Sequence, residues 1–220
     1  MPGDRLTALQ HRILRVLAPV EPRWTLTGGG ALAGVHLGHR ETRDLDLFWR
    51  DRAQLGELVR DVRAALRADG LEVEALRSAP TFGELRVADG HGVCVVDLVA
   101  EPGPSLEPPE IVTVQDATIA VDTTHEILVN KLTALLGRSE LRDLVDVRAL
   151  LEAGIDFDRA LRDAPKKDGG FSAMTLAWVL KDLNPGPLAQ ALGWNEAQAT
   201  QLSEFLEWLR DRLVAVSAPE

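Results

Sequence analysis

The sequence predicts an α+β chain, with an α/β half over residues 1–122 and a helical half over residues 123–220. Three observations carry this. Strand-like alternation recurs between Trp24 and Val121. Within it, Asp89-Gly90 joins two alternating runs, which is a hairpin signal. From Thr124 onward the alternation stops, and apolar residues recur at helical spacing.

The elements follow in order. Leu6, Leu9, Ile13, Val16 and Leu17 share one face of an N-terminal amphipathic helix, after which Pro19 and Pro22 punctuate. Trp24 to Thr27 is a strand, Gly28-Gly29-Gly30 a turn, and Ala31 to Leu37 a short helix. Leu45 to Trp49 is the second strand. Arg52 to Ala68 carries a helical stripe of Leu55, Leu58, Val59, Val62 and Leu66. Leu71 to Leu76, Phe82 to Val87 and Val93 to Val99 alternate as strands, and Ile111 to Val121 holds one or two more. The Pro-rich EPGPSLEPPE between them is a surface loop. Helices are expected at 124–137, 141–151, 156–163, 171–182 and 195–216, divided by Pro165, Gly169-Gly170 and Asn184-Pro185-Gly186. Trp178, Trp194 and Trp208 fall in helical contexts and are expected in the core or an interface. His36 is expected at the surface, and His125 in a helix-capping region.

Composition narrows the function classes. The chain is 45% hydrophobic and 26% charged, which is ordinary for a globular protein. A net charge of −10 argues against general nucleic-acid affinity, since phosphate attraction comes mainly from Lys and Arg. The single cysteine, Cys94, cannot form an internal disulfide or a Cys-based zinc cluster, so a cytoplasmic location is expected. No apolar run approaches the roughly 20 residues that cross a bilayer, so no membrane association is expected.

The acids supply the chemical signal. Side chains alternate along a strand, so Asp44 and Asp46 point the same way while Leu45 and Leu47 enter the core. Two adjacent carboxylates repel unless a positive charge lies between them. A hard divalent cation meets that need, and Mg²⁺ prefers oxygen ligands while keeping waters for substrate phosphates. A solvated pair at a strand end is the plain alternative. Asp97, inside VCVVDLVAE, is a third acid in an apolar run, costly there unless paired or metal-bound. The glycines at 28–30 pass from a strand into a helix, where exposed N–H groups suit phosphate. Downstream, Lys131 sits among core leucines and needs a phosphate or an acid as partner. Lys131 and Arg138 are seven apart, on one helical face. Arg142 and Asp146 are spaced to pair, and Asp143 and Asp146 to brace the second helix.

GGGALAGVHLGHRETRDLDLFW resembles the first motif of the AbiEii-type nucleotidyltransferases, a branch of the polymerase-β-like superfamily. The matching positions are Gly28, Gly29, His39, Arg40, Thr42, Asp44, Asp46, Leu47 and Phe48. A second match falls on Lys131, Leu132, Ala134, Leu135, Arg138, Arg142, Asp143 and Asp146, with Val147 in place of the usual leucine. The resemblance covers residues 24–151.

It implies a nucleotidyltransferase fold with a mixed β-sheet flanked by helices, followed by a C-terminal helical bundle. It implies transfer of a nucleoside monophosphate from an NTP to an acceptor hydroxyl. Asp44, Asp46 and Asp97 would hold Mg²⁺, and Lys131 would neutralise the triphosphate. Gly28 and Gly29 would cradle that triphosphate, and His39, Arg40, Thr42, Arg138, Asp143 and Asp146 would complete the nucleotide site. The implied setting is a toxin acting on tRNA or another RNA, with a cognate antitoxin. A small-molecule acceptor such as an antibiotic is the alternative, favoured mildly by the acidic charge. A degenerate member that only binds a nucleotide or a partner is the third, and the presence of all three acids argues against it.

Overall fold

The computed structural model describes residues 4–138, 140–186, 189 and 194–217. They divide into two compact units, Met1–Glu126 and Ile127–Glu220. The first unit is built on a seven-stranded mixed sheet. Its strands are β1 (Thr25–Thr27), β2 (Asp44–Arg50), β3 (Glu72–Ser78), β4 (Phe82–Ala88), β5 (Val93–Glu101), β6 (Glu110–Val114) and β7 (Ala117–Val121), in the order β3-β4-β5-β2-β1-β7-β6. β2 pairs parallel with β5 and β1 parallel with β7, while the other neighbours are antiparallel.

The alternation in β2 and β5 becomes two different faces. Leu45, Leu47 and Trp49 of β2 are buried, as are Cys94, Val96 and Leu98 of β5. Burying each large apolar side chain stabilises the fold by about 1.5–3 kcal/mol. Helix α1 (Ala8–Leu17) packs on β5, β7 and helix α3 (Leu58–Ala68), and α3 packs on β3. α1 begins with a capping box, in which Thr7 and Gln10 bond reciprocally.

Three local features differ from expectation. Gly28–Ala31 forms helix α2 rather than an open turn, and it runs directly into a π-helical turn over Leu32–His36. α3 starts at Leu58, not Arg52, because Asp51 and Gly56 take positive φ (56° and 55°) that no helix accommodates. His36 is half-buried, with its Nε2 2.8 Å from the Asp122 carbonyl oxygen.

The second unit contains most of α4 (Thr124–Gly137) and the helices α5 (Leu141–Glu152), α6 (Phe157–Lys167), α7 (Ala173–Leu180) and α8 (Glu196–Ser217). α8 packs on α5 and α7. Pro165 lies inside α6 rather than dividing helices. It stands two residues before the C-terminal end of the helix. Trp178 and Trp208, expected in the core or an interface, are exposed on this chain, at 64% and 49%. Lys181 Nζ sits 4.5 Å from the Trp178 ring centroid, and the Trp208 ring lies over Phe205. His125 lies in the first turn of α4, as expected of a helix-capping region, and is buried there.

Candidate active site

The acids meet because β2 and β5 are parallel neighbours. Asp46 is in direct register with Asp97, and Asp44 with Val95. Facing residues on adjacent strands point to the same side, so all three carboxylates share the face of the sheet opposite Leu45, Leu47 and Leu98. All three are half-buried. The Asp46 row continues to Thr27 on β1 and, through Asp97, to Glu84 on β4. Glu84 is a carboxylate that the sequence reading passed over. Its only sequence signal is its alternating position in FGELRV.

The glycines are explained by what they let approach. Gly28 takes φ +59°, and a Cβ there would stand 2.3 Å from Asp46 Oδ2. A Cβ on Gly29 would stand 2.8 Å from Thr42 Oγ1 and 3.1 Å from an Arg40 guanidinium nitrogen. The start of α2 is thus pressed against Asp46, Thr42 and Arg40, which the bare sequence separates by up to eighteen positions. Thr42 Oγ1 in turn donates to Asp44 Oδ1 at 2.5 Å. His39 and Arg40 are half-buried in the segment leading to β2.

At the far end of the same β2 face, Arg50 stacks over Phe48 and forms ion pairs with Asp122, Glu101 and Glu126. Burial raises the Asp122 pKa, although the Arg50 charge opposes that shift. Glu126 also accepts from the Leu106 N–H at 2.7 Å, which fastens the Pro-rich loop.

In the second unit, Lys131 Nζ lies 2.8 Å from Asp143 Oδ1 and 2.9 Å from Asp146 Oδ2. Both acids are almost fully buried. Arg138 grips Asp143 with two bonds, at 2.8 and 3.0 Å. Burial alone would lower the Lys131 pKa, but the charges of Asp146 and Asp143 and their hydrogen bonds outweigh it, so the net shift is upward. The seven-residue spacing does place Lys131 and Arg138 on one face, and Asp143 receives both. Lys131 therefore has acids as its partners within its own unit, and Asp146 bonds it rather than serving only the expected Arg142.

Comparison with known proteins identifies the family. The model of the nucleotidyl transferase AbiEii toxin family (type IV toxin–antitoxin system) matches residues 12–215. The chain belongs to the AbiEii nucleotidyltransferase toxin family. It is therefore a nucleotidyltransferase, and the fold agrees. The structure of JHP933 from Helicobacter pylori is 20% identical with a TM-score of 0.53, covering 95% of this chain and 92% of that one. The antigenic nucleotidyltransferase-like protein from Paracoccidioides brasiliensis is 15% identical with a TM-score of 0.51, covering 94% of each. No protein of curated function matches the sequence.

Within this AbiEii chain, the first unit gathers Gly28, Gly29, Arg40, Thr42, Asp44, Asp46 and Asp97 around one end of β2. Lys131, Arg138, Asp143 and Asp146 form a separate network in the helical unit. Among the described residues, no group of three or more His, Cys, Asp and Glu side chains is placed to hold a metal ion. The donor chemistry nevertheless fits Mg²⁺: three carboxylates, hard oxygen ligands throughout, on one half-buried face. Among the described residues, no helix is long and apolar enough to cross a membrane.

Proposed function

We propose that the chain transfers a nucleoside monophosphate from a Mg²⁺-bound NTP to an acceptor hydroxyl at the Asp44–Asp46–Asp97 face. The single observation carrying this is the register of Asp46 with Asp97, which sets acids from two strands side by side. In the transfer, the acceptor oxygen bonds to the α-phosphorus, the bond from that phosphorus to the bridging oxygen breaks, and pyrophosphate leaves. When bound, the divalent ions offset charge on both the attacking and leaving oxygens.

The residues divide the work. Asp44 and Asp46 would hold a divalent ion for the triphosphate, and Asp97 with them one for the acceptor. Gly28 and Gly29 keep the start of α2 within reach of the phosphates, with His39 and Arg40 beside them. Lys131 and Arg138 enter through their network with Asp143 and Asp146, whose four charges cancel. That network orders the helical unit.

The acceptor in this reading is RNA, tRNA included. Family membership supports the toxin setting, since the family is one of toxins in toxin–antitoxin systems. A cognate antitoxin then belongs with the system. The test is incubation of the purified protein with each α-labelled NTP, Mg²⁺ and total bacterial RNA. Label entering one RNA band names both base and acceptor. Tight Mg·NTP binding without RNA labelling would instead point to a small-molecule acceptor, which the net charge of −10 suits if it is cationic.

A further inference from the structure

Gln10 is a polar residue on α1, the helix on the opposite side of the sheet from the acids, and it is 1% exposed. Its amide is used at both ends. Oε1 accepts from the Thr7 N–H at 2.8 Å and from Thr7 Oγ1 at 3.1 Å, closing the capping box of α1. Nε2 donates to the Thr42 carbonyl oxygen at 3.1 Å, thirty-two residues away. Thr42 is the residue whose hydroxyl donates to Asp44 Oδ1. The same N-terminal segment is tied to the chain ahead of β2 by Arg5, whose N–H bonds Ala33 O at 3.1 Å.

A capping box needs only an acceptor at this position, and Glu serves there as well as Gln. The donor end of the amide has no part in the cap. Its bond is to the backbone of Thr42, two residues before Asp44. An amide buried this completely is costly unless both ends are satisfied, so the Thr42 bond is a fixed part of the fold.

We propose that Gln10 is a positioning residue for the transfer reaction, orienting the Asp44 carboxylate through Thr42. This rests on the metal reading above. Ligating carboxylates are held in place by outer hydrogen bonds, and losing such a bond typically weakens metal affinity by about 10–100-fold. Gln10 acts one residue further out, so the expected loss is at the lower end, about tenfold.

The test is Mn²⁺ titration of the full chain, followed by electron paramagnetic resonance, with thermal melting of every variant. Gln10→Glu keeps the acceptor for Thr7 and removes the donor to Thr42, so it separates cap from clamp. The expected result is about tenfold weaker Mn²⁺ binding, with a lowered melting temperature because a buried carboxylate now faces the Thr42 carbonyl oxygen, so binding is read well below the melt of each variant. Thr42→Val should weaken binding too, and the Gln10→Glu/Thr42→Val double variant should be no weaker than Thr42→Val alone, because both act through one bond. Wild-type binding in Gln10→Glu, or losses that simply add, would overturn the proposal while leaving the metal site standing. Mn²⁺ binding that is absent in the wild type, or unchanged in Asp44→Asn, would overturn the metal reading and the proposal with it.

Discussion

Asp46 Oδ2 lies 2.3 Å from where a Cβ on Gly28 would stand. Gly28 also holds φ +59°, a conformation that costs an L side chain about 1–2 kcal/mol. Gly28→Ala therefore meets two penalties at once, and the clash falls on Asp46, the carboxylate in register with Asp97. The expected outcome is a modest loss of stability with a fall in turnover of about 100-fold, since a displacement near 1 Å at a reacting centre costs that much. Turnover and melting temperature measured on the same preparation check it. Unchanged turnover would mean that Asp46 is not placed by Gly28.

Lys131→Met leaves the buried Asp143 and Asp146 without the ammonium between them. Removing one partner of a buried ion pair typically costs about 3–5 kcal/mol. Urea denaturation should show a loss of that size, with much of it recovered when Asp143 and Asp146 are also made Asn. The wild type should show a matching alkaline limit. The Lys131 pKa is raised above its ordinary value of 10.5 in the folded protein. Its contribution is thus complete below about 10.5 and disappears as pH rises through the higher folded value. A Lys131→Met variant as stable as wild type would contradict the network.

Cys94 reports on the opposite face of β5. Burial first, and the Asp44 charge second, push its thiol up to about 12. At pH 8 only about one thiol in ten thousand is then thiolate, and the thiolate is the reactive form. Native protein should resist iodoacetamide at pH 8, with labelling rising only as pH approaches 12, while urea-unfolded protein labels near pH 8.5. Rapid labelling of the native chain would show that Cys94 is not enclosed as described.

Much of the site is legible in the sequence, for identifiable reasons. The shared face of Asp44 and Asp46 follows from the two-residue period of a strand, and the helical half follows from its apolar spacing. The pairing of Asp46 with Asp97 does not, because it depends on β5 lying parallel beside β2, a non-local choice that local pattern does not encode. Glu84 and Gln10 were missed for the same reason, since their partners lie on other elements. Helical spacing allowed Asp146 to meet Arg142, and only the packing of α5 near Lys131 showed which cation it bonds. The start of α3 was misplaced because a stripe of leucines outweighed Gly56, whose positive φ ends the pattern early. Helical context places Trp178 in the core or an interface without choosing between them, and the structure leaves it exposed beside Lys181.

The central claim is that the β2–β5 acids carry nucleotidyl transfer, and one measurement addresses it most directly. Purified protein, Mg²⁺ and RNA are incubated in parallel with α-labelled and γ-labelled NTP, for the wild type and for Asp46→Ala. The account predicts acceptor labelling from the α-label alone, none from the γ-label, and none with Asp46→Ala, whose melting curve stays that of a folded protein. Transfer of the γ-label, or full α-labelling by Asp46→Ala, would contradict it.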